Sequence, residues 1–267
     1  MPSSYSLGIL GCGRMAEAML SRLLANGYGA NQVIVSARSP ERQAYLHSTY
    51  GVTVASNSDV AAAHTVILAV KPQVFSEIES ELADSSVVQH PGTVLSIMAG
   101  IPSARLRRLF PQRLTFRAMP NTPAQVGAGV IALATDSAAT EAEVVAVKEL
   151  LSVLGEVVVL RENQMDAVTA LSGSGPAFIA LIVEALCDAG VAVGLSRSLT
   201  QTLVYGTIAG TVKLLDEREI HPAQLKDAVT SPAGTTIAGI EVLETAGVRG
   251  TLIQTVKAAY QRAQALN

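Results

Sequence analysis

The feature that most constrains this chain is a Gly-x-Gly-x-x-Ala motif at residues 11–16, which follows a short apolar run and precedes a helix-forming segment. Gly11 permits a tight turn between a strand and a helix, Gly13 lets the backbone approach a phosphate closely, and Ala16 lets the helix pack near the strand. The free N–H groups at the start of that helix also favour an anion. The motif predicts a strand–turn–helix unit that binds a dinucleotide pyrophosphate, with a plain tight turn as the alternative.

The residues after the second strand indicate which nicotinamide cofactor fits. Gln32–Ser36 is predicted as that strand, and an NAD site usually has Asp or Glu at its end to hold the ribose 2′-hydroxyl. Here Arg38 and Ser39 follow the strand, and no carboxylate occurs before Glu41. Arg38 and the hydroxyls of Ser36 and Ser39 suit a 2′-phosphate, which a carboxylate would repel. NADPH is therefore predicted, with NADH as a weaker alternative; the simpler alternative is that Arg38 is a solvated loop residue.

The composition argues against several classes of function. The net charge of −3 gives no basic surface for nucleic acid or for an anionic membrane. The apolar stretch Ala177–Val183 is expected to be too short to span a bilayer, and no signal peptide is expected. Cys12 and Cys187 lack metal-ligand spacing, and the four histidines are scattered. The chain is therefore predicted to be a cytoplasmic protein with reduced thiols and no metal site.

Up to residue 161, strand-like and helix-like segments alternate, as is typical of a doubly wound parallel sheet. Thr65–Val70 is a continuous aliphatic run of the kind that is buried on both faces of such a sheet. Residues 1–161 are therefore predicted to form a Rossmann-type α/β domain that binds NADP. The other strands predicted after it are Thr93–Ile97, Leu114–Ala118, Gly129–Ala134 and Glu156–Leu160, and helices are predicted at Met15–Ala25, from Ser103 and at Thr140–Leu154.

After residue 161 no convincing strand pattern occurs, and the apolar residues recur at helical spacing. The apolar faces are wide, and about 100 residues offer few neighbours to cover them. We expect residues 162–267 to form an all-helical domain that buries a face against another subunit, with a self-contained bundle as the alternative. The predicted helices are Met165–Leu171, Pro176–Gly190, Ser198–Asp216, Pro222–Val229, Thr235–Ala246 and Gly250–Ala265.

Four polar segments interrupt these apolar surroundings and carry the candidate chemistry. Ala69–Pro72 ends the strand predicted from Thr65, beside the expected place of a nicotinamide ribose. Met119–Pro123 follows a strand end, where α/β sheets bind ligands, with an ordinary turn as the alternative. Ser172–Pro176 is predicted to open the most apolar helix and to cap it. Thr230–Thr236 offers hydroxyls and backbone N–H groups at the start of a helix. It suits a carboxylate-sized anion, with a simple Ser/Thr N-cap as the alternative.

With its glycine motif, the chain resembles pyrroline-5-carboxylate reductases, the enzymes that make proline. The resemblance runs from Leu7 to about Arg262 and rests on five motifs in the same order. One departure from the family pattern is Ala233, which stands where the first of two glycines is usual. A positive φ at that position would cost a methyl-bearing residue about 1 kcal/mol. The five motifs lie at residues 11–18, 69–72, 119–123, 166–177 and 225–236.

The resemblance implies an N-terminal Rossmann domain and a C-terminal helical domain through which two subunits interlock, with dimers often assembled into larger rings. Active sites in this family lie between the cofactor domain of one subunit and the helical domains of the dimer. The resemblance puts Asn57 on the adenosine side of the cofactor and Val70, Lys71 and Ala99 on the nicotinamide side. With the motif residues included, the expected cofactor-binding set is Gly11, Cys12, Gly13, Arg14, Met15, Ser36, Arg38, Asn57, Ala69, Val70, Lys71, Pro72, Ala99 and Asn121.

The reaction implied is hydride transfer from NADPH to the imine carbon of a cyclic imino acid, the last step of proline biosynthesis. The family pattern places the Thr236 hydroxyl at the imine nitrogen, as the expected catalytic residue. Because a threonine pKa is too high for a free general acid, we expect Thr236 to orient the imine more than to protonate it. The expected substrate-binding residues are Glu162, Ser231, Gly234, Thr235 and Thr236.

Two functions of other kinds are alternatives. A β-hydroxyacid dehydrogenase would need a catalytic Lys with Asn four residues later, but Glu217 follows Lys213 and Thr230 follows Lys226 at that spacing. A non-catalytic NADP-binding redox sensor would not need the hydroxyl-rich loop before Thr236, because a Rossmann fold does not specify chemistry. Consumption of NADPH with a cyclic imino acid separates all three.

Overall fold

A computed structural model describes residues 5–83 and 85–265 of the chain. Its single sheet has eight strands in the order β3-β2-β1-β4-β5-β6-β7-β8. All neighbouring strands run parallel except β6 and β7, which pair antiparallel. The strands are β1 Leu7–Leu10, β2 Val33–Val35, β3 Thr53–Val54, β4 Thr65–Leu68, β5 Gly92–Ser96, β6 Arg113–Met119, β7 Gly129–Ala134 and β8 Gly155–Leu160.

The helices connect these strands and then form the C-terminal part of the chain. Two of them follow strand-end loops that matter for the site: α1 begins at Arg14, within the glycine motif, and α2 begins after β2. The helices are α1 Arg14–Ala25, α2 Pro40–Tyr50, α3 Asn57–Ala61, α4 Phe75–Leu82, α5 Ser103–Leu109, α6 Glu141–Ser152, α7 Met165–Val168, α8 Gly175–Ala192, α9 Arg197–Arg218, α10 Pro222–Ala228, α11 Thr235–Thr245 and α12 Val248–Gln264.

The chain divides into two compact units between Ser174 and Gly175, and the C-terminal segment from Ala259 belongs to the first unit. The predicted domain boundary at residue 161 stays a prediction. In the first unit, apolar side chains are buried on both faces of the sheet, because successive side chains of a strand point to opposite sides. Leu7 and Ile9 of β1 belong to one buried apolar cluster, and Leu10 belongs to another. This arrangement confirms the predicted doubly wound α/β fold.

The predicted strands and helices agree with the structure to within a few residues at their ends, except around Ser172–Pro176. That segment contains the start of α8 at Gly175, with Pro176 in its first turn as predicted, but it does not cap the helix as predicted. A π-helical turn spans Thr169–Gly173 between α7 and α8, and the Ser174 hydroxyl donates to the Thr169 carbonyl instead of capping α8. The predicted cap is therefore wrong, because the wider turn lets the helical backbone continue where serine, glycine and proline ordinarily mark a start.

As a result, Glu162–Ala192 is one helical stretch of 31 residues with a mean hydropathy of 1.7 in its most apolar window. By length and composition alone it could cross a membrane, so the expectation that the apolar run is too short does not hold. Only 6% of that window is buried within the chain. The same stretch includes the segment that the sequence predicts to pack on another subunit.

The second unit, residues 175–258, is all helical, and among the described residues the last strand ends at Leu160. Helices α8 and α9 approach each other closely at Gly190, where an added Cβ would lie 2.4 Å from the Thr200 side chain. Few other residues of this unit are buried within the chain. Large apolar side chains such as Leu181 and Val212 are 67% and 61% exposed.

Candidate active site

The loops after β1, β2 and β4 surround a cavity of about 520 Å³ at the carboxyl edge of the sheet. This edge, where β1 lies between β2 and β4, is where open α/β sheets bind nucleotides. Among the described residues that line it, four are cationic and none is acidic. The lining residues are Gly11, Cys12, Gly13, Arg14, Ala37, Arg38, Ser39, Arg42, Ala69, Val70, Lys71 and Val74.

Gly11 and Gly13 meet different requirements within the loop. Gly11 has a φ of 85°, and an added Cβ would lie 2.4 Å from the Val70 side chain. Gly13 is the N-cap of α1, makes no side-chain cap hydrogen bond, and would have open space around an added Cβ. The first N–H groups of α1, including those of Arg14 and Met15, have no intrahelical acceptors and lie beside this open space. The geometry suits a pyrophosphate, so the dinucleotide predicted from the motif fits the residues present.

Ser36 supports this loop from the neighbouring strand. Its hydroxyl oxygen accepts from the Gly11 N–H at 3.2 Å, and its carbonyl accepts from the Cys12 N–H at 2.8 Å. Ser36 is only 4% exposed. The structure therefore assigns Ser36 to holding the loop, and its predicted contact with the cofactor stays a prediction.

Arg38 is the exposed cation beyond β2. Its side chain is 76% exposed and lies 3.6 Å from the Glu77 carboxylate. Ser39 next to it is the N-cap of α2, and its hydroxyl accepts from the Arg42 N–H. Glu41, the first carboxylate after the strand, lies in the first turn of α2. Arg38 thus lines the cavity, and among the described residues its charge is paired only with Glu77, in a long and exposed ion pair.

Cys12, between the two glycines, has a buried side chain. Burial raises the pKa of its thiol to about 12, although the nearby Arg42 charge opposes the shift. The thiol is therefore neutral near pH 7 and is not a nucleophile there. Arg42 is the cationic lining residue that the sequence analysis missed. Its only sequence signal is its place in the first turn of the helix that follows the second strand.

Six predicted cofactor residues lie outside this lining: Met15, Ser36, Asn57, Pro72, Ala99 and Asn121. The Asn57 side chain donates to the Glu81 carboxylate at 2.7 Å. Asn121 is buried; its amide accepts from the Val130 N–H and donates to the Ser172 carbonyl. Ala99 precedes Gly100 in the loop after β5. Asn121 therefore joins the loop after β6 to the π-helical turn, and both of its polar atoms are engaged by the protein.

Glu162 follows β8, and its carboxylate is held at two points. It accepts from the Ser103 N–H at 2.7 Å and from the Arg117 guanidinium at 2.9 Å. Burial raises the pKa of Glu162, but the hydrogen bonds from Ser103 and Arg117 lower it by more than burial raises it. The pKa of this carboxyl therefore lies below its usual value. Arg117 is buried and its Nε has no partner among the described residues. The predicted substrate role of Glu162 stays a prediction.

In the second unit, the predicted anion site lies at the start of α11. The N-cap is Gly234, and no side chain caps the helix. The alternative of a simple Ser/Thr cap is therefore wrong, because the hydroxyls near this terminus do not reach its N–H groups. Among the described residues, the side chains of Ser231, Thr235 and Thr236 have no hydrogen-bond partner, whereas the Thr230 hydroxyl donates to the Lys226 carbonyl.

The geometry of this loop explains where glycine is required and where it is missing. An added Cβ at Gly234 would lie 2.3 Å from the Ser231 hydroxyl. Ala233 has a φ of 56°, one of two positive values at non-glycine positions in the described residues. The strain anticipated at this departure from the family pattern is therefore present.

Across residues 5–83 and 85–265, no three His, Cys, Asp or Glu side chains come together as a metal site would require. The prediction that the protein holds no metal stays a prediction.

Comparison with known proteins finds a family model that matches residues in each half of the chain. Residues 162–266 match the family model described as pyrroline-5-carboxylate reductase dimerisation. Residues 6–100 match the model described as NADP oxidoreductase, coenzyme F420-dependent. The apolar stretch from Glu162 to Ala192 thus lies within a segment that this model describes by its dimerisation.

Relatives cover the full length. A pyrroline-5-carboxylate reductase from Synechocystis is 46% identical, over 98% of each chain. The structure of such an enzyme from Streptococcus pyogenes superposes with a TM-score of 0.87 at 30% identity, covering 97% of this chain and 98% of that one. A Plasmodium falciparum pyrroline carboxylate reductase structure with NADP bound has a TM-score of 0.85 at 27% identity, covering 100% and 99%.

Proposed function

The chain belongs to the pyrroline-5-carboxylate reductase family, and on that premise we propose that it reduces 1-pyrroline-5-carboxylate to proline with NADPH. The full-length identity of 46% to a reductase of that name carries this conclusion. The cationic cavity at the carboxyl edge of the sheet supports it independently. The two alternatives, a β-hydroxyacid dehydrogenase and a non-catalytic redox sensor, have no comparable support.

NADPH supplies the hydride when it is bound, and residues of this chain bind and orient the cofactor. The N–H groups at the start of α1 bind the pyrophosphate, since Gly13 leaves that helix end uncapped and open. We assign the 2′-phosphate to Arg38, and we therefore expect a preference for NADPH over NADH. The full predicted set, with Asn57, Ala99 and Asn121, stands as a proposal.

The substrate is an anion at its carboxylate and carries an imine that is reduced faster when protonated. We assign the carboxylate to the N–H groups of Thr235 and Thr236 at the uncapped start of α11. The unpartnered hydroxyls of Ser231 and Thr236 then remain available to the substrate, and Thr236 orients the imine nitrogen. Glu162, ionised in its pair with Arg117, completes the proposed substrate set.

The protein is a homo-oligomer built through its dimerisation segment. We further propose that the dimer interlocks through α8 and α9, that dimers assemble into a ring, and that the protein is cytoplasmic.

Thr236→Val tests the chemistry, because it keeps the shape and removes the hydroxyl. We expect kcat/KM for the imino acid to fall about 10- to 1000-fold, the scale for one well-placed donor, while NADPH affinity barely changes. Thr230→Val is the matched control in the same loop, since its hydroxyl is already engaged by the Lys226 carbonyl. Wild-type kcat/KM in Thr236→Val would refute the role of this hydroxyl.

A further inference from the structure

Arg42 lies against the glycine loop in a network that the reaction described above does not use. Its Nε donates to the Cys12 carbonyl at 3.1 Å, and Nη2 lies 3.5 Å from the Gly13 carbonyl. Nη2 also donates to the Glu17 carboxylate at 2.5 Å. One guanidinium therefore bridges the first turns of α2 and α1 and the loop between the two glycines.

Glu17 is held on its other oxygen by two tyrosines. The hydroxyls of Tyr45 and Tyr50 both donate to its Oε1 at 2.9 Å. The Arg42 guanidinium lies 5.2 Å from the centre of the Tyr45 ring, and the two tyrosine rings meet edge to face. Burial raises the pKa of Glu17, but the bonds from Arg42 and the tyrosines outweigh it and the pKa is lowered. The charge of Arg42 is thus neutralised beside the cavity by an ionised partner.

These contacts fix the direction of the loop's peptide groups. The N–H groups of Gly11 and Cys12 are engaged by Ser36, and the Cys12 carbonyl is engaged by Arg42. The groups left facing an anion are the N–H groups at the start of α1. A loop that lost the Arg42 contacts would be free to turn a carbonyl toward the phosphates, which would repel them.

Resting on the cofactor site proposed above, we propose that Arg42 is a positioning residue for the pyrophosphate loop, and that Arg38 alone reads the 2′-phosphate. Arg42 shares its charge with Glu17 and gives its donors to loop carbonyls, whereas Arg38 is exposed with one distant carboxylate nearby. The pyrophosphate is common to NADPH and NADH, but the 2′-phosphate is not. The two arginines should therefore affect the two cofactors differently.

The experiment measures the Kd of NADPH and of NADH by nicotinamide fluorescence, together with KM and kcat. Arg42→Lys removes the planar guanidinium with its fixed N–H donors while keeping the positive charge. We expect both Kd values to rise about tenfold, the scale for lost charge-assisted hydrogen bonds, with the NADPH/NADH ratio and the saturated kcat unchanged. For Arg38→Ala we expect the Kd of NADPH alone to rise, so that the ratio collapses.

Arg105→Lys is the matched control for a merely structural effect. Arg105 pairs with Glu79 at side-chain exposures of 28% and 27%, close to the 28% and 20% of Arg42 and Glu17. It also lies over an aromatic ring, 5.0 Å from the centre of Phe75. We expect Arg105→Lys to lower the thermal midpoint about as much as Arg42→Lys and to leave both Kd values unchanged.

Two results would overturn the proposal: an equal effect of Arg42→Lys and Arg105→Lys on cofactor Kd, or a selective loss of NADPH binding in Arg42→Lys. If Arg42→Lys does not fold, Glu17→Gln decides, because it removes the ion pair that fixes the Arg42 guanidinium. A positioning role predicts weaker binding of both cofactors by the same factor, whereas a direct charge effect of Arg42 predicts tighter binding and would overturn the proposal. Binding needs no substrate. A wild-type protein that binds NADPH but does not oxidise it with pyrroline-5-carboxylate would contradict the proposed function and leave this inference intact.

Discussion

The two units of this chain bury apolar residues very differently. In the first unit, strands and helices bury large side chains such as Phe75, Phe110 and Phe116 completely. In residues 175–258, only Cys187 and Thr200 are buried, although α8 is among the most apolar segments of the chain. The first unit therefore buries most of its core within one chain, although Val158 and Val159 of the edge strand β8 are 41% and 46% exposed. The second unit presents apolar helix faces without a partner in this chain.

The difference has a physical cause. A sheet with helices on both faces encloses its own apolar surface, because each strand side chain meets a helix from the same chain. A few helices that are apolar around much of their circumference cannot cover one another. Exposed apolar surface on that scale marks an interface, and here it coincides with the dimerisation segment of the family.

The largest expected effect comes from placing a charge on the uncovered surface. We expect Leu181→Asp on α8 to weaken the dimer by roughly 3 kcal/mol or more, about 100-fold in dissociation constant, because an unpaired carboxylate would be buried between subunits. Sedimentation at micromolar concentration would show monomer or aggregate, with activity lost. Val145→Asp on α6, where the side chain is 45% exposed in the first unit, should leave assembly intact. Equal behaviour of the two variants would remove the contrast between the units.

A second substitution tests whether the stability of the first unit is independent of dimer formation. Arg113 is buried and donates to the carbonyls of Ala61, Ala63 and His90, while burial lowers the pKa of its guanidinium to about 10. Arg113→Met leaves these carbonyls unpaired, so we expect a loss of about 2–4 kcal/mol in urea unfolding.

That loss should not depend on protein concentration, unlike the effect of Leu181→Asp. Arg108→Met, at an exposed position of α5, is the control and should lower the free energy of unfolding little. A concentration-dependent loss in Arg113→Met would mean that the first unit also depends on the dimer.

A third test uses pH. The buried Asp136 carboxylate accepts from the N–H groups of Thr115 and Ala138, each at 3.0 Å. Burial raises its pKa, but these bonds and the Arg107 charge outweigh it, so the pKa is lowered in the folded state. Its stabilising contribution is thus present above the unfolded pKa of about 3.9 and is lost as pH falls through the folded pKa.

We expect Asp136→Asn to lower stability near neutral pH by about 1 kcal/mol and to flatten the acid-unfolding curve below about pH 4. Asp188→Asn in the second unit, which breaks an exposed pair with Arg197, should change neither. An unchanged acid-unfolding curve in Asp136→Asn would show that this carboxylate is not what couples the first unit to pH.

The smallest effect is expected at Ala233. Replacing it with glycine relieves the positive φ, and the entropy that glycine adds to the unfolded chain offsets part of the gain, leaving about 0.5 kcal/mol of stabilisation. Ala246→Gly, at a φ of −75°, should lower stability instead. Thermal unfolding of the two variants in opposite directions would confirm local strain in the loop before Thr236; a destabilised Ala233→Gly would rule it out.

Much of the candidate site could be predicted from local sequence. Gly11 and Gly13 lie in a turn that the glycine spacing alone predicts, and Arg38 lies three residues after the end of β2. The roles of Ser36, Arg42 and Asn121 could not be predicted, because each contacts groups far along the chain. Asn121, for example, meets a carbonyl 51 residues away.

The sequence by itself determined the alternating strands and helices, the glycine turn and the apolar helices that need a partner, because these follow from periodicity and backbone preference. Only the tertiary structure decided that a π-helical turn at Thr169–Gly173 joins α7 to α8, and that Gly234, not a Ser or Thr side chain, is the N-cap of α11. It also decided that Arg42 holds the loop instead of facing solvent. Hydrogen-bond partners distant in sequence set these outcomes, and no local pattern records which partner a polar group finds.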